Sequence, residues 1–221
     1  MKTYALLFFI SLLLILTSTP NHAYGLSWAF EANVTSSGDF SGNTIRGFFD
    51  SATSGTDINP HPTTAHYRDV ISNFSVEILS GSNVVYSGSQ DLQGNNGIML
   101  RDDHVNIDDF VMNVEFTGPS VSGKDAEEFS LELNDWTMTA NHGLSLPTGI
   151  LDYTAYEDAV IELEFGQYVF GDDPSEDEYP VVIRGNITSL TAPVPEPTSM
   201  ALFAFGLAGC ALAGRRSRSF S

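Results

Sequence analysis

Two short segments of this 221-residue chain concentrate oxygen ligands, and calcium binding is the chemistry that they suggest. In the first segment, the candidate ligands are Asp102, Asp103, Asn106, Asp108 and Asp109. In the second, the acids are Asp172, Asp173, Glu176, Asp177 and Glu178. Hard cations take several oxygen ligands at one point, although neither segment has the ligand spacing of an EF-hand. A Ca²⁺ site is therefore one hypothesis, and a pair of solvated acidic loops is its alternative.

Catalytic chemistry is harder to find in the sequence. His61 and His66 are close together, but no HExxH motif accompanies them, so loop histidines without function are the better interpretation. Residues 143–147 approach the nucleophile elbow of a serine hydrolase but lack its second glycine. A carboxylate pair for glycoside hydrolysis is defined in space and leaves no local motif. We therefore predict that the protein is not an enzyme and needs no cofactor, Ca²⁺ being the one candidate ion.

The charge of the chain is strongly acidic and unevenly distributed. The sequence has 28 Asp and Glu residues against nine Lys and Arg residues, a formal charge of −19. All of the acids lie within residues 26–199. Like charges repel, so nucleic acid and anionic lipid headgroups are excluded as partners of this region. A single Cys also excludes an intrachain disulfide framework.

The acidic region must be built mainly from strands, because its apolar residues recur with a period of two. The alternating stretches are 28–34, 74–78, 110–116, 129–133, 136–138, 161–165 and 181–187. Segments rich in Gly, Asn, Asp, Ser and Pro separate them, which is typical of turns. Alternation of this kind indicates antiparallel sheets with one buried face. We therefore predict an all-β domain over residues 26–193, with about nine to eleven strands in an antiparallel β-sandwich or jelly-roll-like fold.

The N-terminal 25 residues have the pattern of a secretory signal peptide. Lys2 is followed by an uncharged apolar run over residues 4–16, and small residues at Ala23 and Gly25 fit a cleavage site before Leu26. The apolar run is shorter than the roughly 20 residues that span a bilayer. We therefore expect residues 1–25 to form a signal helix that directs the chain to the Sec translocon and is removed by signal peptidase.

The C-terminal segment, residues 194–218, has three consecutive parts. The first part is the stretch Val194, Pro195, Glu196, Pro197, Thr198 and Ser199. An uncharged apolar run over 200–214 follows, near the lower limit for a single transmembrane helix. The basic cluster Arg215, Arg216 and Arg218 ends the segment, and the positive-inside rule keeps it cytoplasmic. The acidic domain is then expected outside the inner membrane.

This arrangement resembles the PEP-CTERM sorting signal of Gram-negative bacteria, in which a Pro-Glu-Pro triplet precedes a transmembrane stretch and a terminal basic cluster. The resemblance implies recognition by an exosortase that cleaves near the triplet. It implies an inner-membrane-anchored intermediate and then a place on the cell surface or in the extracellular matrix. It further implies a bacterium that exports exopolysaccharide.

The sequence thus favours an exported protein with a structural or adhesive role in an exopolysaccharide or biofilm envelope. A secreted enzyme or binding protein that acts on the polysaccharide is the alternative from another class. A surface module stabilised by calcium is the second alternative. Exposed aromatic residues beside acids in a cleft would favour sugar binding or hydrolysis, whereas a smooth acidic surface would favour the structural role.

Overall fold

The computed structural model describes residues 25–36, 38–102, 107–140, 143–169 and 178–192, and these residues form an all-β domain, as predicted. In chain order the strands are β1 (Leu26–Val34), β2 (Thr44–Ser51), β3 (Thr64–Arg68), β4 (Ile71–Ser80), β5 (Asn83–Gln90), β6 (Asn96–Arg101), β7 (Asp108–Thr117), β8 (Ala126–Asp135), β9 (Asp158–Phe165) and β10 (Val181–Thr191). A 3₁₀ turn at Tyr153–Ala155 is the one helical element in these ranges.

Helices long and apolar enough to cross a membrane are not found in the described part of the chain. The signal helix predicted for residues 1–25 lies almost entirely outside the described residues, which begin at Gly25. The transmembrane helix predicted for residues 200–214 also lies outside them.

The strands close into an eight-stranded barrel, in the order β7-β5-β4-β2-β1-β10-β9-β8, with β8 pairing back to β7. Strand β7 makes closure possible because it is long enough to pair with three neighbours. One of its edges pairs with β8, while the other pairs with β6 along 109–114 and then with β5 at Phe116 and Thr117. Strands β6 and β3 extend the sheet outside this ring.

The predicted sandwich or jelly roll is therefore wrong. Alternation along a strand identifies the face that is buried. It does not encode which strands pair, so the β7–β8 pairing that closes the ring could not be predicted from it. Closure gives every strand of the ring two neighbours, which removes the free edges that a sandwich leaves.

Aromatic side chains fill the interior of the barrel and connect strands that are not neighbours in the sheet. Trp28 on β1 stacks on Phe49 and on Phe110, with ring centroids 5.5 and 5.9 Å apart. Phe129 on β8 lies 5.2 Å from Phe30 and 4.7 Å from Phe74. All six of these aromatic residues are buried, and burial of a Phe side chain contributes about 1.5–3 kcal/mol. A packed core therefore lies behind β1, β2 and β4 and supports the outer faces of these strands.

One predicted strand segment is not a strand. Trp136 and Met138 were expected on a strand because they alternate with polar residues, but they lie in the loop after β8. Trp136 is exposed, and Met138 has a φ of 57°, in the left-handed region that regular strands do not use. The carboxylate of Asp135 binds the backbone of this loop, as described below, and thereby ends the strand.

Candidate functional site

An open groove of about 800 Å³ lies on the outer face of β10, β1, β2 and β4. These four strands are consecutive in the barrel. The side chains that line the groove therefore come from both ends of the domain, with Ser27 and Ala29 near the start and Ser189 and Thr191 near the end.

Strand register arranges the groove in rows that cross the strands. In one row Thr191, Ala29, Phe48 and Ser75 lie side by side. Both cross-strand neighbours of Phe48 are small, so they leave the aromatic ring 47% exposed. A ring on a sheet surface is usually covered by larger neighbours, since cross-strand pairs are the unit of packing on that surface.

The next row contains Ser189, Glu31, Arg46 and Glu77. Arg46 donates from Nε (2.9 Å) and Nη2 (2.7 Å) to the same Glu77 oxygen, Oε2. The side chains of this ion pair are exposed, so the pair contributes little to stability. It does hold one guanidinium group and one carboxylate at the side of the groove.

Asp50 supplies a third carboxylate beside the exposed ring of Phe48. Ser27 Oγ donates to Asp50 Oδ1 at 2.6 Å, and Asn73 Nδ2 donates to Asp50 Oδ2 at 2.7 Å. Asn73 has a φ of 52°, a left-handed conformation that Asn tolerates better than most residues. These two hydrogen bonds fix the orientation of the Asp50 carboxylate.

Gly47 lets the sheet form behind this groove. A Cβ at Gly47 would overlap the Ser75 carbonyl oxygen and would lie 2.5 Å from Cζ of Phe30. The missing side chain leaves room for the Phe30 ring, which lies opposite Gly47 on β1. Phe48 then faces outward because the residues on either side of it face inward.

The groove therefore combines one aromatic face with oriented carboxylates, a guanidinium group and several hydroxyl groups. Such a site can hold a ligand that has an apolar face and hydrogen-bonding groups around it. These residues were not predicted as a site from the sequence. The signal that was available is the pair Phe48-Phe49, because two consecutive aromatic residues on a strand cannot both face the core.

The predicted calcium ligands lie at the start of β7, away from this groove. Asp109 is fully buried, and Arg101 forms an ion pair with it, with Nε at 2.8 Å from Oδ1. Asp108 is buried and lies opposite Asp135 of β8. Asp102 is partly buried, and its Oδ1 atom has no hydrogen-bond partner among the described residues.

Calcium binding at this place stays a prediction. Asp103 and Asn106 lie outside the described residues, as do residues 172–177 of the second acidic segment. Within the ranges that are described, groups of three or more His, Cys, Asp or Glu side chains with the arrangement of a metal site are not found.

Asp135 is the best-satisfied acid at this end of the barrel. Its Oδ1 accepts hydrogen bonds from the N–H and hydroxyl of Thr137 at 2.8 and 2.6 Å. Its Oδ2 accepts from the N–H groups of Thr139 and Ala140 at 2.5 and 2.6 Å, and from the Thr139 hydroxyl at 3.2 Å. Burial alone would raise the pKa of this carboxyl, but the hydrogen bonds together hold the pKa well below its usual range.

A row of three glutamates crosses the outer face of β7, β8 and β9. Glu115 lies directly opposite Glu128, and Glu128 lies directly opposite Glu164. Partial burial, followed by the charges of Glu164, Glu115 and Glu132, raises the pKa of Glu128. Burial and then the nearby acids Glu127 and Glu162 raise the pKa of Glu164. Like charges placed opposite each other destabilise a sheet at neutral pH.

The two histidines considered above lie near β3, outside the groove. His66 belongs to β3, and its backbone N–H donates to Asp57 Oδ1 at 2.9 Å. His61 precedes the strand, and its Nδ1 accepts a hydrogen bond from the backbone N–H of Thr63. His104 and His142 lie outside the described residues.

The fold and the groove thus define an all-β, closed-barrel domain with a polar, aromatic-containing surface cleft. The C-terminal segment indicates how this domain is sorted. Residues 193–218 match the family model of the PEP-CTERM protein-sorting motif. The match confirms the sorting signal predicted from the sequence. Comparison with curated proteins and with solved structures gives no match for this chain.

The motif indicates an exosortase-sorted surface protein, exported to the cell surface or to the extracellular space. Its residues lie outside the described part of the structure, so the roles of the Pro-Glu-Pro triplet and of the basic cluster stay predictions.

Proposed function

We propose that this protein is a structural or adhesive component of an exopolysaccharide envelope, delivered there by exosortase processing. The observation that carries the proposal is the sorting motif at residues 193–218, directly after an all-β domain. The proposed route begins with the Sec translocon and signal peptidase. It continues through an intermediate anchored in the inner membrane and ends on the cell surface or in the matrix.

The architecture of the domain fits this role. Strands β1 and β10 are neighbours, and Ala29 pairs with Thr191, so the first and last strands meet at one place in the barrel. The two export signals adjoin these strands in the sequence. Closure of the barrel depends on both β1 and β10, and it leaves the groove on their outer face open to a partner.

The experiment that tests sorting replaces Pro195, Glu196 and Pro197 by alanine in the producing bacterium. We expect the variant to accumulate as the longer, uncleaved form in the inner-membrane fraction, measured by fractionation and immunoblotting. A matched control replaces the exposed loop residues Asn59, Pro60 and His61 by alanine, which should leave processing intact. Normal processing of the triplet variant would refute the sorting part of the proposal.

A polysaccharide-degrading enzyme is the alternative class of function. Two of the groove carboxylates already bind other side chains, Glu77 with Arg46 and Asp50 with Ser27 and Asn73. This arrangement favours holding a ligand over cleaving one, so the proposal is non-enzymatic. Release of reducing ends from polysaccharide by the purified chain, and its loss in Asp50→Asn, would instead establish a hydrolase.

A further inference from the structure

We propose that the outer groove binds an uncharged polysaccharide chain, with the exposed ring of Phe48 as the platform for one sugar ring. This inference rests on the adhesive function proposed above and names the ligand and the site through which adhesion would occur. The residues that carry it lie on four consecutive strands of the barrel.

Phe48 provides the apolar contact. Its ring is 47% exposed and lies between Ala29 and Ser75, which are too small to cover it. The face of an aromatic ring is electron-rich and attracts the weakly positive C–H groups on one side of a pyranose ring. A single exposed aromatic residue is common on protein surfaces and by itself indicates no function. Phe48 indicates a binding site because it lies inside a polar groove.

The polar groups around the ring match the hydroxyl groups of a sugar. The Nε and Nη2 atoms of Arg46 both bind the Oε2 atom of Glu77, and Oε1 receives no hydrogen bond from the described residues. The carboxylate of Glu31, in the same row, likewise has no hydrogen-bond partner among them. Hydrogen bonds from hydroxyl donors to carboxylates are short and strong. The side chains of Ser189 and Thr191 add hydroxyl groups that both donate and accept.

The negative charge of the groove favours uncharged polysaccharides over anionic ones. The groove is lined by three carboxylates, Glu31, Asp50 and Glu77, against the single guanidinium of Arg46. The chain as a whole has a formal charge of −19. Polymers that carry uronate or sulfate groups are therefore repelled, both at the groove and at longer range. An uncharged polymer meets no such barrier.

A protein partner fits this groove less well than a sugar chain. The core of a protein–protein interface is apolar and depleted in charged residues. The lining of this groove instead contains one large exposed apolar side chain, Phe48, surrounded by four charged residues and several hydroxyl groups.

The test is calorimetric titration of the full-length chain in detergent with cellohexaose, maltohexaose, hexa-N-acetylchitohexaose and hexagalacturonate. We expect at least one of the three uncharged oligosaccharides to bind, and its binding to be insensitive to salt. Phe48→Ala should weaken binding roughly tenfold, the loss of one stacking contact, whereas Phe48→Tyr keeps the ring and should retain it. Val84→Ala is the matched control, since Val84 is equally exposed at 50% but lies on β5 outside the groove.

Three results would overturn the inference: no binding of any uncharged oligosaccharide, stronger binding of hexagalacturonate, or equal affinity of Phe48→Ala and the wild type. Because Phe48 is exposed, its replacement should leave the melting temperature close to that of Val84→Ala, which separates lost binding from lost folding. Processing at the sorting motif is measured independently in cells. Failure of sugar binding with normal processing would refute this inference alone, and failure of processing with normal sugar binding would refute the sorting proposal alone.

Discussion

Replacement of Asp135 by asparagine is the sharpest test of how this barrel ends β8 and orders the loop that follows. The two carboxylate oxygens accept five hydrogen bonds, and three of the donors are the backbone N–H groups of Thr137, Thr139 and Ala140. Each oxygen receives at least one of those N–H groups. An asparagine side chain must therefore direct its NH₂ group at a backbone donor in either orientation.

The expected loss follows from these contacts. Hydrogen bonds to a charged group contribute about 1.5–3 kcal/mol each. Asp135→Asn removes the charge and at least one backbone hydrogen bond, so the free energy of unfolding should fall by about 2–3 kcal/mol. Asp135→Ala leaves three backbone donors without their acceptor and should cost about 4 kcal/mol, as expected for loss of a buried network.

The dependence on pH gives a second, independent readout. The folded-state pKa of Asp135 lies below its unfolded value, so its stabilisation is present above the unfolded pKa of about 4 and is lost as the pH falls through the folded pKa. The asparagine variant has no such group. The difference in unfolding free energy between the two proteins should therefore narrow between about pH 5 and pH 2.

The assay is urea denaturation of the full-length chain, followed by the circular dichroism of its strands. Asp152→Asn is the matched control, because Asp152 also accepts hydrogen bonds from the N–H and hydroxyl of a threonine two residues later, Thr154, but at an exposed site. We expect a clearly smaller loss for the control. Equal losses for the two variants, or no narrowing at low pH, would refute the role assigned to Asp135.

Three further predictions concern packing, charge and metal binding. Gly47→Ala should lower stability by about 3 kcal/mol, because the new Cβ would overlap the Ser75 carbonyl oxygen; an unchanged melting temperature would contradict this. Glu128→Gln should raise the melting temperature at pH 7 but not at pH 4, since a raised pKa means that stability is lost as the pH rises. The calcium hypothesis predicts a higher melting temperature of the full chain at millimolar Ca²⁺, and no shift would end it.

Six of the ten strands in the described residues, β1, β4, β7, β8, β9 and β10, were predictable because their signal is local, whereas no alternating stretch was identified for β2, β3, β5 or β6. Alternating burial requires only that one face of each strand meets the core, and the residues of β1, β7 and β10 satisfy this in sequence. Closure was not predictable, because it depends on β7 pairing with β8 along one edge and with both β6 and β5 along the other. Closure also requires β1 to pair with β10, whose residues come from opposite ends of the domain.

The groove also could not be predicted from the sequence, because it depends on the order of the strands. Thr191 lies beside Ala29, which lies beside Phe48, although these residues come from opposite ends of the domain. The outward position of Phe48 follows from its neighbour Phe49, but its small neighbours are known only once the strand order is known. The error at Trp136 has a different origin. The alternating pattern continues past Asp135 in the sequence, but the backbone N–H of Trp136 donates to Glu157 Oε2 and that of Thr137 donates to Asp135 Oδ1, so neither forms a strand hydrogen bond.

If the groove binds polysaccharide, its closeness in sequence to the sorting motif would connect binding with export. Thr191 lines the groove and ends β10, and Met200 begins the predicted membrane helix nine residues later. An extended chain spans about 3.5 Å per residue, so an anchored protein keeps the edge of its groove within about 30 Å of the membrane until cleavage.

If the groove binds polysaccharide, a chain whose residues 195–197 are replaced by alanine should therefore retain polymer at the inner membrane. Adding Phe48→Ala to that variant should release the polymer while leaving the protein anchored, as measured by carbohydrate and immunoblot analysis of the same membrane fraction. Equal retention of polymer by the two variants would show that the groove is not the binding site, whatever the fate of the anchored chain.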